Sequence, residues 1–234
     1  MGADEFIKGK KRYCLWLVHA APADIKKSKI LYGKVEAVRQ FRLESKAKTT
    51  NGYAKVPNRF AQMTQPEGQN YLLIPRVSSE RRRYAPIGFM TSDIISSDAV
   101  QIIPCATLYH FGVLTSNVHM AWMRAVCGRL KSDYRYSKEI VYNTFPWPSP
   151  TDAQKVKIEQ TAQAILDARA LYADSSLADL YDEVTMPPEL RRAHQNNDRA
   201  VMQTYGFSVK DMTESACVAE LMKMYQELTK GEQS

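Results

Sequence analysis

Cysteine is scarce and unpaired along this chain. Cys14, Cys105, Cys127 and Cys217 stand far apart among apolar neighbours, with no CxxC or CxxH pair. That spacing excludes a zinc ribbon or a disulfide framework, and buried reduced thiols are expected. His19, His110, His119 and His194 are equally scattered, and His110 and His119 sit in apolar surroundings that suit packing better than metal ligation. No run of eighteen apolar residues occurs, so no membrane partner is expected. The start MGADEFIKGKKRY carries charge where a signal peptide would be apolar, and Phe6 occupies the Ser/Thr position of a myristoylation signal. Reduced thiols without a signal peptide point to the cytoplasm.

Catalytic signatures are missing too. No GxxxxGK[ST], GxSxG or HExxH string occurs. HFGVL has a single glycine where a methyl-donor loop needs several, and neither MPPEL nor FPWP is the Asn/Asp-Pro-Pro-aromatic motif of an amino-group methyltransferase. Asp4 and Glu5 of DEFIK, with Glu80, are the only acidic set worth weighing for a metal-dependent nuclease. Their spacing is poor, and DEFIK reads more simply as the flank of an N-terminal strand. No catalytic, cofactor or metal residue is assigned.

Positive charge is plentiful and uneven. Residues 1–150 hold 23 Lys/Arg against 11 Asp/Glu, a net of +12, whereas residues 151–234 hold 9 against 14, a net of −5. A basic surface attracts polyanions and speeds their encounter. Composition changes at NTFPWPSPT, Asn143–Thr151, where three prolines in five residues can continue neither a helix nor a central strand. Residues 1–145 and 146–234 are therefore expected to be separate domains.

In the first part RYCLWLV (12–18), NYLLIPRV (70–77), APIGFM (85–90) and IVYN (140–143) read as strands. Apolar spacing from Ile30 to Phe41 predicts an amphipathic helix, and Ser116 to Gly128 a second one with a serine cap and a glycine stop. Lys46–Pro57 reads as a polar, mobile or DNA-facing loop. After the prolines the pattern is helical: a Thr151/Gln154 capping box, then Ile158, Ala162, Ile165, Arg169 and Tyr172 along one stripe, a short helix at SLADLYD, Pro188 opening a helix that Gly206 stops, and a last helix bearing Leu221 and Tyr225. The expected class is α+β, a mixed strand and helix domain followed by an all-helical segment.

Two basic stretches carry chemistry. In GRLKSDYRYS, Arg129, Lys131, Asp133 and Arg135 recur at every second residue, which on an extended segment aims four side chains one way. Arg and Lys donate to guanine in the major groove, and Asp accepts from the amino group of cytosine, so Lys131 with Asp133 can read both halves of a G·C pair. The other stretch is ERRR, where Arg81, Arg82 and Arg83 on a hairpin loop between two strands suit phosphate oxygens, with Arg129 as a fourth such contact.

The strings EFIKGKKRYCLWL, VRQFRLES, NYLLIPRVSSERRRYAPIGF, ATLYHFGVLTSNVHMAWMRAVCGRLKSDYRYS, IVYNTFPWP, AQAILDARALY, SLADLYD and MPPELRRAHQNNDRAVMQTYGF resemble the C-terminal part of MmeI-like enzymes. These are single-chain type IIL restriction–modification proteins related to type IIG enzymes and gamma-class adenine methyltransferases. The resemblance runs from Gly2 to about Leu228. It implies a parent polypeptide ordered as nuclease, helical connector, adenine-N6 methyltransferase, target-recognition domain and C-terminal helical segment, of which this chain holds the last two, so that Met1 is a truncated start. It implies double-stranded DNA and the methyltransferase domain of the same polypeptide as partners. S-adenosylmethionine, and Mg for cleavage, would then serve the parent and not these residues. By position it implies base-reading roles for Arg76 with Asp98, for Lys131 with Asp133, and for Ala99 with Arg135. The alternatives are an RNA-binding or protein-interaction module and, more remotely, an independent metal-dependent nuclease.

Overall fold

The computed structural model describes residues 1–231. In chain order its elements are helix α1 (Ala3–Ile7), α2 (Pro22–Lys27), α3 (Lys29–Leu43) and α4 (Lys48–Gly52); strands β1 (Tyr71–Pro75), β2 (Val77–Ser78), β3 (Gly88–Met90) and β4 (Val100–Pro104); α5 (Leu108–Leu114), α6 (Asn117–Val126), β5 (Gly128–Leu130) and β6 (Asp133–Arg135); and α7 (Asp152–Ala170), α8 (Leu177–Leu180), α9 (Pro188–Thr204) and α10 (Glu214–Gly231). They fall into two units, Arg12–Gln65 and the rest of the chain.

The small unit is helical. Ser28 ends α2 and caps α3, its Oγ accepting from the Leu31 N–H at 3.3 Å. Lys46–Pro57, expected as a loop, instead forms α4 and a 3₁₀ turn at Tyr53–Lys55. Two arginines of α3 tie that turn down. Arg42 donates to the carbonyls of Tyr53 (2.9 Å), Val56 (3.0 Å) and Arg59 (2.7 Å), and Arg39 to that of Ala54 (3.2 Å). Arg12–Val18, expected as a strand, has no ladder: its apolar run finds no partner strand among the described residues of this unit and lies as irregular chain, with Trp16 stacked on Phe60 at 5.6 Å. The apolar face expected on α3 is only partly used. Val35 is buried, whereas Ile30 and Phe41 are 79% and 72% exposed.

The large unit is α+β. Strands β3, β1 and β4 make one antiparallel sheet, with Leu72 opposite Phe89 and Ile103. Strands β2, β6 and β5 make a second, with Val77 and Gly128 both opposite Arg135. NYLLIPRV is thus two strands broken at Arg76, each in its own sheet. DEFIK, expected beside a strand, is the helix α1: the Glu5 carboxylate accepts from the Gly2 N–H at 2.8 Å and caps it. IVYN is not a strand either but part of a wide helical turn, Lys138–Tyr142, because Ser137 caps the Ile140 N–H at 3.1 Å while Trp122 Nε1 takes the Val141 carbonyl at 3.2 Å.

Beyond the prolines every element is helical, and the Thr151/Gln154 box forms as expected. Ile158, Ala162, Ile165 and Leu221 are fully buried, and Tyr225 is half-buried against Trp122. Side chains from both sides of Asn143–Thr151 share one apolar core, from Leu72 through Trp122 and Ile158 to Leu221. The approach of α5 to α7 is close enough that a Cβ on Gly112 would stand 2.6 Å from the Ile158 Cγ2. Polar contacts lock the same junction. Asn197 Nδ2 donates to the Gly112 carbonyl (2.7 Å), Tyr84 donates to Asp198 (2.6 Å), and Arg169 donates to the Ile87 carbonyl (2.8 Å). Of the four cysteines only Cys217 is buried; Cys14 and Cys105 are exposed and Cys127 is intermediate, so the expectation of four buried thiols fails. An apolar neighbour in sequence does not bury a residue that sits in irregular chain, as Cys14 and Cys105 both do.

Candidate nucleic-acid interface

The six residues singled out for base reading lie on segments joined through one residue. Arg76, between β1 and β2, donates its backbone N–H to the Ala99 carbonyl (3.0 Å), and its own carbonyl accepts from the Tyr136 N–H (2.8 Å). The loop Asp98–Ala99 and the end of β6 are therefore fastened to opposite sides of Arg76, and Arg135 faces Val77 in the register. Arg76, Asp98, Ala99, Lys131 and Arg135 are exposed and Asp133 is half-buried.

The hairpin β5–β6 sets the side-chain directions, and here the structure corrects the expectation of four parallel side chains. Leu130 pairs with Asp133 around a two-residue turn, Lys131–Ser132, with Lys131 at φ +56°. Directly paired residues share a face, so Asp133 and Arg135 point one way and Arg129 with Tyr134 the other. The Arg129 guanidinium lies 4.0 Å from the Tyr134 ring centroid, donates to the Ser132 carbonyl at 2.7 Å and approaches the Glu80 carboxylate at 3.8 Å. It braces the turn from behind. Lys131 stands at the tip, where a left-handed residue costs a non-glycine side chain some strain. Asp133 Oδ1 accepts from the Glu80 N–H at 3.3 Å.

YRYS forms a strand because its tyrosines alternate inward. Tyr134 and Tyr136 are buried, and the Tyr136 hydroxyl shares a hydrogen bond with His119 Nε2 at 3.0 Å. Full burial pulls His119 down to about 3, so the imidazole is neutral; desolvation likewise pushes the Tyr136 hydroxyl far up. This neutral pair anchors β6 from below and lets Arg135 project. Glu80, Tyr134 and Tyr136 are the positioning residues that reasoning from charge spacing missed. The period-two tyrosines are the signal that could have revealed the last two.

The ERRR stretch is not a hairpin loop. Its flanking strands belong to different sheets, and the chain passes from β2 to a buried run, Tyr84–Ile87, before β3. Arg81 and Arg83 are exposed and Arg82 is half-buried. Burial lowers the Arg82 pKa and the charges of Asp133 and Asp182 raise it. Together with Arg124, Glu183, Glu214 and Asn117 the three arginines line a cleft of about 550 Å³. Arg124 bridges it, paired with Glu214 at 2.7 Å and donating to the Arg83 carbonyl at 3.2 Å.

Lys8 and Lys10, which pair with Asp4 at 2.5 and 3.2 Å, lower its pKa. No group of three or more His, Cys, Asp or Glu side chains among the described residues is placed to hold a metal, and no helix among them is long and apolar enough to cross a membrane.

Comparison with known proteins gives a consistent picture. The chain is 40% identical over 230 residues to "DNA methyltransferase A" of Bacillus subtilis (strain 168), an alignment covering 98% of this chain and 26% of that protein. It superposes with a TM-score of 0.95 and 47% identity on the type IIL restriction–modification enzyme MmeI, solved in complex with DNA, over 98% of this chain and 30% of that one. It therefore spans between a quarter and a third of the length of these relatives. With residues 1–149 matching the MmeI target recognition domain and residues 150–232 the MmeI C-terminal domain, the chain belongs to the MmeI family.

Proposed function

We propose that this chain is the sequence-recognition module of a site-specific DNA methyltransferase of the restriction–modification type, reading base edges in the major groove for a catalytic domain elsewhere in its parent polypeptide. The observation that carries the reading is the fastening of three separate segments, at Arg76, at Asp98–Ala99 and at the β5–β6 hairpin, through the backbone of Arg76. A rigid cluster of donors and acceptors is what base reading needs, since arginine and lysine select guanine and aspartate selects the cytosine amino group. Arg76 with Asp98, and Lys131 with Asp133, are two such donor–acceptor pairs, and Ala99 with Arg135 forms a third reading position. Arg81, Arg82, Arg83 and Arg129 hold phosphates in this reading, Arg129 while also bracing the turn.

The division of labour is read as residues 1–145 for recognition and 146–234 for helical support, a division of role across a shared core. The parent uses S-adenosylmethionine to methylate adenine N6, with a fused Mg-dependent nuclease, works in the cytoplasm, and supplies its methyltransferase domain as the other wall of the DNA cleft. The supporting facts are the family and the small fraction of its relatives that this chain spans.

The test is the parent enzyme carrying Lys131→Glu together with Asp133→Arg. Its modified sites, mapped genome-wide, are expected to change at one base pair from G·C to C·G, while each single change lowers binding by about 1–3 kcal/mol. An unaltered site at every position would refute the assignment of this pair. If the isolated chain bound RNA in preference to duplex DNA, the alternative reading would take its place.

A further inference from the structure

The small unit, Arg12–Gln65, carries the whole excess of positive charge. Its 54 residues hold 11 Lys/Arg against 3 Asp/Glu, a net of +8, while the rest of the chain holds 21 against 22 and is nearly neutral. Two of its three acids are already spent, Asp24 on Lys27 at 2.8 Å and Glu36 on Arg39 at 3.2 Å. Its cations divide by chemistry. Arg39 and Arg42 turn inward onto carbonyls and hold the fold. Lys26, Lys29, Lys34, Lys46, Lys48 and Lys55 are exposed and make no ion pair among the described residues. Interleaved with them are exposed tyrosines, Tyr13, Tyr32 and Tyr53, whose hydroxyls can donate to phosphate oxygens.

Concentrating like charge costs self-repulsion unless a polyanion relieves it. The outward cations are chiefly lysines, compact point charges that meet a phosphate from any direction, and lack the planar fork by which arginine selects a base edge. The arginine- and aspartate-bearing recognition segments have the opposite make-up.

We propose that Arg12–Gln65 is a separate, sequence-independent clamp on the phosphate backbone of duplex DNA, supplying affinity to a chain whose specificity resides in the other unit. The inference rests on the DNA-recognition reading above and adds to it where the affinity comes from.

The experiment titrates the full chain against a mixed-sequence duplex over a range of salt. Three forms are compared: the natural chain, one with the six lysines changed to Gln, and one with the same six changed to Arg. Each lysine that holds a phosphate contributes about 0.9 to the slope of log K against log salt. The Gln form is expected to lose about 2.7 if half of the six engage, and the Arg form to keep the natural slope. In the parent enzyme the Gln changes are expected to weaken binding on all sequences alike and leave the modified site unchanged. If the natural chain binds and the Gln form shows the same slope, the clamp is refuted while the recognition reading stands. If the slope falls equally in the Arg form, charge is not the cause and the clamp is refuted. If the natural chain binds no duplex at any salt, the reading beneath the inference fails with it.

Discussion

The two units of this chain use their apolar residues in opposite ways. The large unit buries Leu72, Phe111, Trp122, Ile158, Ile165, Leu190 and Leu221 completely or nearly so, in one core that joins sheets and helices. The small unit buries few apolar side chains, Ile25, Val35, Ala54 and Pro57, leaves Ile30 and Phe41 outside, and is held in large part by arginine bonds to carbonyls. A thick core gives the rigidity that a base-reading cluster requires, because a side chain displaced by about 1 Å loses its hydrogen bonds. A thin core with a dense lysine surface asks less of geometry, since a phosphate contact needs charge more than orientation. The difference predicts that mutations will separate stability from affinity along the line between the units.

The largest effect is expected from the core. Ile158→Ala removes a fully buried side chain where α7 meets α5, and should cost about 2–5 kcal/mol of unfolding free energy, measured by denaturant titration. A cost under about 1 kcal/mol would show that the shared core is looser than its burial indicates.

Gly112→Ala acts at the same contact from the other side. The added methyl meets the Ile158 Cγ2 at 2.6 Å and the Asn197 Oδ1 at 3.1 Å, so overpacking should cost about 1–3 kcal/mol, and the same change should cost less in the Ile158→Ala background, which lacks that Cγ2. Full additivity of the two would contradict the proposed clash.

Acid should destabilise the large unit selectively. His119 and His194 are neutral when folded because burial lowers both, His119 to about 3. Asp198 is raised to about 6 by burial, so it favours the folded state as pH falls, while the histidines favour the unfolded state, where they protonate near 6.5. As pH falls below about 6.5 the unfolded state takes up protons at these histidines that the folded state resists, and the folded state offsets part of this at Asp198. Stability is expected to fall with pH, by about 1.4 kcal/mol per pH unit for each net proton. Asp198→Asn should steepen that slope. A flat profile would mean that a histidine is protonated in the fold.

The small unit should answer to its arginines more than to its apolar surface. Arg42→Met strips three carbonyls of their donor and is expected to cost about 1–2 kcal/mol, with faster hydrogen exchange confined to the small unit. Ile30→Ser, at an exposed site, should stay within about 0.5 kcal/mol. If Ile30→Ser proved as costly as Arg42→Met, the contrast between the units would collapse.

The sequence by itself determined the α+β class, the helices after the prolines and the caps at Ser116 and Thr151, and it singled out the alternating charges of Lys131–Arg135 as a candidate. These are local properties, carried by periodicity, capping side chains and residue type. Only the tertiary structure decided that NYLLIPRV breaks at Arg76 into two sheets, that Arg129 turns away from Asp133 to brace a hairpin on Tyr134, and that Arg12–Val18 finds no strand to pair with. It also drew the line that isolates the positive charge, since Met1–Lys11 leaves its sequence neighbours and joins the unit that begins again at Pro66. The physical reason is the same in each case. A ladder partner, a stacking ring or a shared core lies tens of residues away, and the energy of such a contact is absent from any local window of the chain.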